Sequence, residues 1–355
     1  QDWNLGLTQR IPWWQKLWAR GKVSVTHADI ARLQYETAMR DLVIDVKDAY
    51  YELYYIDVAR EITERIEALL RNEALLAYAE METGRTVLSE AFRAESQAAQ
   101  LAYDRILLEE QRAAQAQRLR SLLNLPANTE IGRVASAPLY GVEDEIADLY
   151  GRADRFAEVL KIRGLEIQKA EYDVFLAKLA RIPDVSVGIN YIATGGAAAG
   201  MSPSDSGKDP VIGMLGMNLP IWEQRNRALI REKQAIEEAM QRHALNEANR
   251  LQSAVAQAFF QVRLTERLIR LYRETLLPQA DSIMHQAELD FRNDQASFSS
   301  LLETTLAWHN FQLALHRALA DHGQAIGRLE KLLGTTAEPR EDEAPVESVT
   351  NGNSQ

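Results

Sequence analysis

The chain has 355 residues, with 51 acidic side chains against 40 basic ones and a net charge of −11, a balance that excludes unspecific nucleic-acid binding. It has no cysteine, a usage as compatible with the cytosol as with the periplasm. No run of 18 apolar residues occurs, which excludes a transmembrane helix but not transmembrane β-strands.

In chain order, the first element is a strand. Trp3, Leu5, Leu7 and Ile11 alternate with Asp2, Asn4, Gly6, Thr8 and Arg10. Gln1 opens inside this pattern with neither a signal peptide nor an initiator Met, so a chain that is mature, trimmed or incomplete at this end is expected. Ile11-Pro12-Trp13-Trp14 then passes into a stretch with no Gly or Pro from Lys22 to Thr83. As one helix that stretch is a rod of roughly 90 Å at about 1.5 Å per residue, far beyond the usual helix of about 11 residues. Leu42, Val46, Ala49, Leu53 and Ile56 step by 4, 3, 4 and 3, a seam that packs knobs into holes. Thr83-Gly84-Arg85 reads as a hairpin tip. A second breaker-free stretch follows to Leu125, rich in Ala over 91–117, which permits close helix approach.

After connecting helices over 138–182, two strands are predicted, Val185 to Thr194 and Val211 to Leu219. The first alternates cleanly. In the second, Ile212 and Met214 share a face with Gly216 and Asn218. The Gly- and Ser-rich segment 195–207 between them reads as a loop at the far end of a hairpin. Alternation over about ten residues suits strands that cross a bilayer around a polar lumen; an amphipathic hairpin has the same pattern. Leu219-Pro220-Ile221-Trp222 opens another breaker-free stretch, to Leu277, where Ala248, Leu251, Val255, Ala258, Val262, Thr265, Ile269, Tyr272 and Leu276 keep the heptad rhythm. Pro278 should kink or divide this helix. Arg292-Asn293-Asp294 is a second tip, and residues 335–355, acidic and polar, read as a disordered tail.

Self-comparison organises these elements. Ile11-Pro12-Trp13-Trp14 recurs at an offset of 208, Ala49-Tyr50-Tyr51 as Ala258-Phe259-Phe260 at 209, Ala79-Glu80-Met81-Glu82 as Ala287-Glu288-Leu289-Asp290 at 208, and Leu122-Leu123-Asn124 as Leu332-Leu333-Gly334 at 210. The expected division is a first strand and helical hairpin over 1–137, connecting helices over 138–182, a strand pair and helical hairpin over 183–334, and the tail. Trp13, Trp14, Trp18 and Trp222 mark the strand-to-helix junction in both copies. Indole rings favour the lipid headgroup layer, which predicts a membrane-interface belt; a core cluster at a strand–helix joint is the alternative.

Four passages carry a family resemblance: Gly6-Leu7-Thr8-Gln9-Arg10-Ile11-Pro12 before a long helix, Ala49-Tyr50-Tyr51-Glu52-Leu53, the tip Thr83-Gly84 with Val87-Leu88 soon after, and Leu179-Ala180-Arg181-Ile182-Pro183-Asp184-Val185-Ser186 leading into a strand. In this order the chain resembles the outer-membrane efflux (TolC-type) family over nearly its whole length. The resemblance implies a mainly α fold with transmembrane β-strands: a homotrimer with an α-barrel of long coiled-coil helices joined to a shared twelve-stranded β-barrel. Such a chain sits in the outer membrane of a Gram-negative bacterium with its helices in the periplasm, among outer-membrane lipid.

Four strands per chain are implied, so a strand and a helical segment equivalent to Ile146–Ala180 are expected before Trp3. Three strands would give nine in a trimer, an odd number for an antiparallel barrel. The resemblance further implies an exit duct that passively conducts substrates from an inner-membrane pump of RND or ABC type through a periplasmic adaptor (membrane fusion) protein. The adaptor would dock on the tips Thr83, Gly84, Arg85 and Arg292, Asn293, Asp294. An acidic gate would fall at Glu90, Ser300 and Glu303, where Ser300 departs from the acidic pattern.

No phosphate-binding loop, dinucleotide fingerprint or nucleophile–base signature occurs, so neither an enzyme nor a cofactor is expected. His309 and His316 lie seven apart without a third ligand, which points to packing rather than zinc. The competing class is a soluble coiled-coil scaffold or tethering protein without channel activity.

Overall fold

The computed structural model describes residues 3–82, 88–134, 136–137, 141–142, 144–193, 209–293 and 295–334. Thr83, Gly84, Arg85 and Asp294, the loop over 195–207 and the tail over 335–355 lie outside the described residues. The elements are β1 (Trp3–Ile11), α1 (Trp14–Glu82), α2 (Leu88–Leu122), α3 (Ile146–Phe156), α4 (Glu158–Leu179), β2 (Val185–Ala193), β3 (Val211–Met217), α5 (Glu223–Leu271), a π-helical turn (Tyr272–Leu276), α6 (Leu277–Arg292) and α7 (Phe298–Leu333). They form two compact units, residues 1–36 with 158–249 and residues 37–157 with 250–355.

In the first unit the strands form one antiparallel sheet in the order β1-β2-β3. Leu5 pairs with Tyr191, Leu7 with Ile189 and Ile11 with Val185; Val187 pairs with Leu215 and Val185 with Met217. Directly paired residues share a sheet face, so this register gathers Trp3, Leu5, Leu7, Ile11, Val185, Val187, Ile189, Val211, Leu215 and Met217 onto one surface. The opposite face carries Asn4, Thr8, Arg10, Ser186 and Asn190. Ile212 and Met214 fall on that second face, which is why β3 alternates poorly when read by itself. β3 ends at Met217, two residues short of the predicted Leu219, because the Asn218 side chain turns to accept the Asp184 backbone N–H at 2.6 Å. Helix α1 buries Lys16, Ala19, Thr26 and Ile30, a 3-, 7- and 4-residue step that forms one helical face. Trp18 meets Tyr172 and Phe175 of α4 edge-on, at 5.9 and 6.2 Å between ring centroids.

The second unit is built from helices alone. Ile66, Leu70, Ala74 and Ala77 of α1 pack with Ala91, Ala94, Ala98 and Leu101 of α2 and with Phe298 and Leu302 of α7. Alanines at these contacts bring the axes close. A second cluster joins Tyr51, Tyr54, Val58 and Ile62 to Ile269, Ala318, Leu319 and Ala320. Gly323 belongs here for a steric reason, since a Cβ at this position would stand 2.3 Å from the Tyr51 ring.

The predicted seams are largely buried: Ala49, Leu53 and Ile56 in α1, and Leu251, Val255, Val262, Thr265 and Ile269 in α5, whereas Leu42 is exposed. The break at Pro278 takes the form of the π-turn directly before it. Proline offers no N–H to the carbonyl four residues back, and a wider i→i+5 turn absorbs the mismatch. Ser297 caps α7 by accepting the Ser300 N–H, and Gly334 ends that helix in the left-handed region at φ 70°.

Candidate functional site

Two groups of predicted residues lie in different units. In the strand-bearing unit, four chain segments meet at one buried carboxylate. Asp184, 5 % exposed, accepts from Lys16 Nζ at 2.7 Å and from Arg10 Nη2 at 2.8 Å. Its Oδ1 also faces the Trp13 N–H at 3.4 Å, and Lys16 Nζ donates to the Ile182 carbonyl at 2.6 Å. The Lys16 hydrogen bond, aided by Arg10, holds the Asp184 carboxyl below the usual carboxylate range. The end of β1, the start of α1, the α4–β2 turn and the end of β3 are thereby tied together. Lys16 and Asp184 stand 168 residues apart, so no local pattern announces their pairing. The dipeptide Pro183-Asp184 is visible in sequence; its partner is not.

Around this joint the four predicted belt tryptophans are all exposed: Trp13, Trp14 (63 %), Trp18 (50 %) and Trp222. None of them forms a core cluster within the unit, although Trp18 leans on α4. The apolar face of the adjoining sheet is open as well, with Leu7 77 % and Leu215 82 % exposed. A soluble sheet of this composition buries its apolar face; here the uncovered face is the apolar one.

In the helical unit, Glu90 lies in the first turn of α2, half-buried, and Ser300 and Glu303 lie exposed near the start of α7. Arg93 Nη1 donates to Ser299 Oγ at 2.8 Å, which ties α2 to α7 beside these positions. Of the tip residues, Arg292 ends α6 in an ion pair with Glu288, and Asn293 caps that helix, donating its N–H to Leu289. Sequence reading passed over a third acid here. Glu73 is 8 % exposed and its Oε2 has no hydrogen-bond partner. Burial, and then the Glu288 carboxylate, push its pKa up to about 7. The signal was present: Ile66, Leu70, Glu73 and Ala77 step by 4, 3 and 4, which places an acid in a heptad seam.

His309 and His316 are packed between helices. His316 Nδ1 lies 2.8 Å from the Tyr54 hydroxyl, and burial followed by the charges of Arg65 and Arg273 lowers its pKa to about 4. Among the described residues no three side chains are grouped to hold a metal ion, and no helix is long and apolar enough to cross a membrane.

Residues 160–335 match the sequence profile of the outer membrane efflux protein family. The chain belongs to this family. Its members are channels of the outer membrane that serve efflux, and they are not enzymes. Three solved structures share the fold of this efflux protein. The outer membrane protein VceC from Vibrio cholerae aligns at 17% identity and a TM-score of 0.76, covering 94% of this chain and 80% of its own. The outer-membrane channel OprN aligns at 17% identity and 0.77, covering 94% and 75%. The MtrE outer membrane channel of Neisseria gonorrhoeae, solved in an open state, aligns at 15% identity and 0.75, covering 94% and 80%. No curated protein matches the sequence.

Proposed function

We propose that this efflux-family chain is one subunit of a homotrimeric outer-membrane exit duct. The duct passively conducts substrates delivered by an inner-membrane pump of RND or ABC type through a periplasmic adaptor. The observation that carries the proposal is the sheet: three antiparallel strands with a contiguous uncovered apolar face, β1 and β3 each leading within a few residues into a long helix. Such a sheet is stable where lipid meets the apolar face and water the polar one. Copies joined edge to edge would close a shared barrel, twelve strands in all if each chain supplies four. The long helices would continue it as a periplasmic α-barrel, with the Trp residues at the membrane boundary.

The helix tips would face the adaptor, and Glu90 and Glu303 would ring the narrow end beside the uncharged Ser300. Carboxylates around a constriction concentrate cations and are blocked by divalent ones. The purified protein should therefore run as a trimer in detergent and open conducting pores in a planar bilayer. Glu90→Ala combined with Glu303→Ala should weaken divalent-cation block severalfold without abolishing conductance. Unchanged block would reject the ring. A chain that stays soluble without detergent and opens no pore would instead be a scaffold, and the duct would be wrong.

A further inference from the structure

The bases of α1 and α4 carry a charge pattern that the duct does not require. The chain as a whole is acidic, yet from Trp3 to Ala28 it holds Arg10, Lys16, Arg20 and Lys22 and no acid. Between Asp173 and Asp184, α4 and the turn after it hold Lys178 and Arg181, again with no acid. Lys16 and Arg10 are consumed by Asp184. Arg20, Lys22, Lys178 and Arg181 remain exposed.

On α1, Trp14, Leu17, Trp18 and Val25 are exposed and share one helical face, opposite the buried Lys16, Ala19, Thr26 and Ile30. At 100° per residue Lys22 flanks this stripe on one side and Arg20 on the other. Phe175, exposed on α4, lies against Trp18. Lys22 reaches back along the helix until its ammonium stands 5.8 Å from the Trp18 ring centre, which sets the positive charge at the depth of the indole. An apolar aromatic stripe with lysine drawn up beside it suits an acyl chain edge with a phosphate above it.

We infer that Trp14, Trp18, Phe175, Lys22 and Lys178 form a selective site for an anionic phospholipid, phosphatidylglycerol in class, in the leaflet that faces the helices. The site presupposes the duct proposed above and adds a lipid preference to it. Its occupant is argued from charge complementarity, and from the uncovered apolar face that β1 carries up to Ile11, three residues before Trp14.

The full chain is reconstituted in phosphatidylethanolamine vesicles containing some phosphatidylglycerol, with either lipid brominated in turn. Tryptophan quenching is read in variants that keep one tryptophan each, Trp3 in β1 or Trp18 in α1, with phenylalanine at the other positions so that the apolar stripe is retained. Brominated phosphatidylglycerol should quench Trp18 more strongly than its vesicle fraction predicts. Lys22→Gln and Lys178→Gln should each cut that enrichment about fivefold, the factor equivalent to about 1 kcal/mol per basic residue at an anionic surface.

Quenching of Trp3 with none of Trp18 leaves the barrel intact and overturns the lipid site, since another protein surface would then cover the stripe. Quenching by each lipid in proportion to its vesicle fraction, unmoved by the lysine substitutions, overturns the selectivity. If neither tryptophan is quenched, the membrane placement itself fails and the site with it. Should the single-tryptophan variants misfold, phospholipid analysis of the purified wild-type protein decides. Phosphatidylglycerol enriched over the source membrane supports the site, and its absence overturns it.

Discussion

Glu73 shows how one side chain ties a coiled-coil seam to pH. Its neighbours in the seam are Leu70, Ala74 and Ala77, and the nearest charge acting on it, that of Glu288, repels its ionised form. A carboxyl whose folded pKa stands near 7 binds its proton more tightly folded than unfolded, where its ordinary value is 4.5. Stability from this group is therefore complete below about pH 4.5, falls as pH rises between the two values, and is lost above 7. Glu73→Gln should raise the thermal midpoint at pH 8 by a few degrees and leave it unchanged at pH 4. Melts of both proteins across that range would check the prediction, and parallel curves would refute it. The heptad step made Glu73 findable from sequence. Its missing partner was not, because that depends on which helices converge on the seam.

At the scale of elements, the strand-to-helix junctions were legible and their fastening was not. Pro12-Trp13-Trp14 and Pro220-Ile221-Trp222 mark where each strand ends, since proline leaves a ladder hydrogen bond unmade. The fastening at Asp184 depends on residues brought together by folding. With Lys16 and Asp184 both buried, removing one partner strands the other's charge, a loss of about 3–5 kcal/mol, whereas an apolar pair of similar volume costs far less. Asp184→Ala should accordingly destabilise the protein strongly, and Lys16→Met with Asp184→Leu much less than Asp184→Ala alone. Denaturant titration of the three proteins measures the difference. A double variant as unstable as Asp184→Ala would mean that the pair is not coupled. Strand pairing was equally hidden in sequence: β3 alone looks ambiguous, and only its register against β2 assigns Val211, Leu215 and Met217 to the apolar face.

For the whole molecule, alternation and heptad spacing gave the mainly α fold with strands at the junctions, because both periodicities are local. Copy number is not a local property. If the helices close a barrel between copies, folded stability includes the association term, and the unfolding midpoint should rise with protein concentration in detergent. A tenfold dilution that leaves the midpoint unmoved would point to a self-sufficient chain.

The sheet carries a further consequence. Among the described residues β1 and β3 each have a neighbour on one side only, so each offers a row of unpaired backbone groups alongside exposed Trp, Leu and Val side chains. Edges of this kind join whatever strand they meet first. During biogenesis the interval between synthesis and membrane insertion is then the hazardous one: a chain kept waiting in water is a seed for aggregation. The cell must either shield the strands in transit or make delivery to the membrane faster than the encounter of two stray copies.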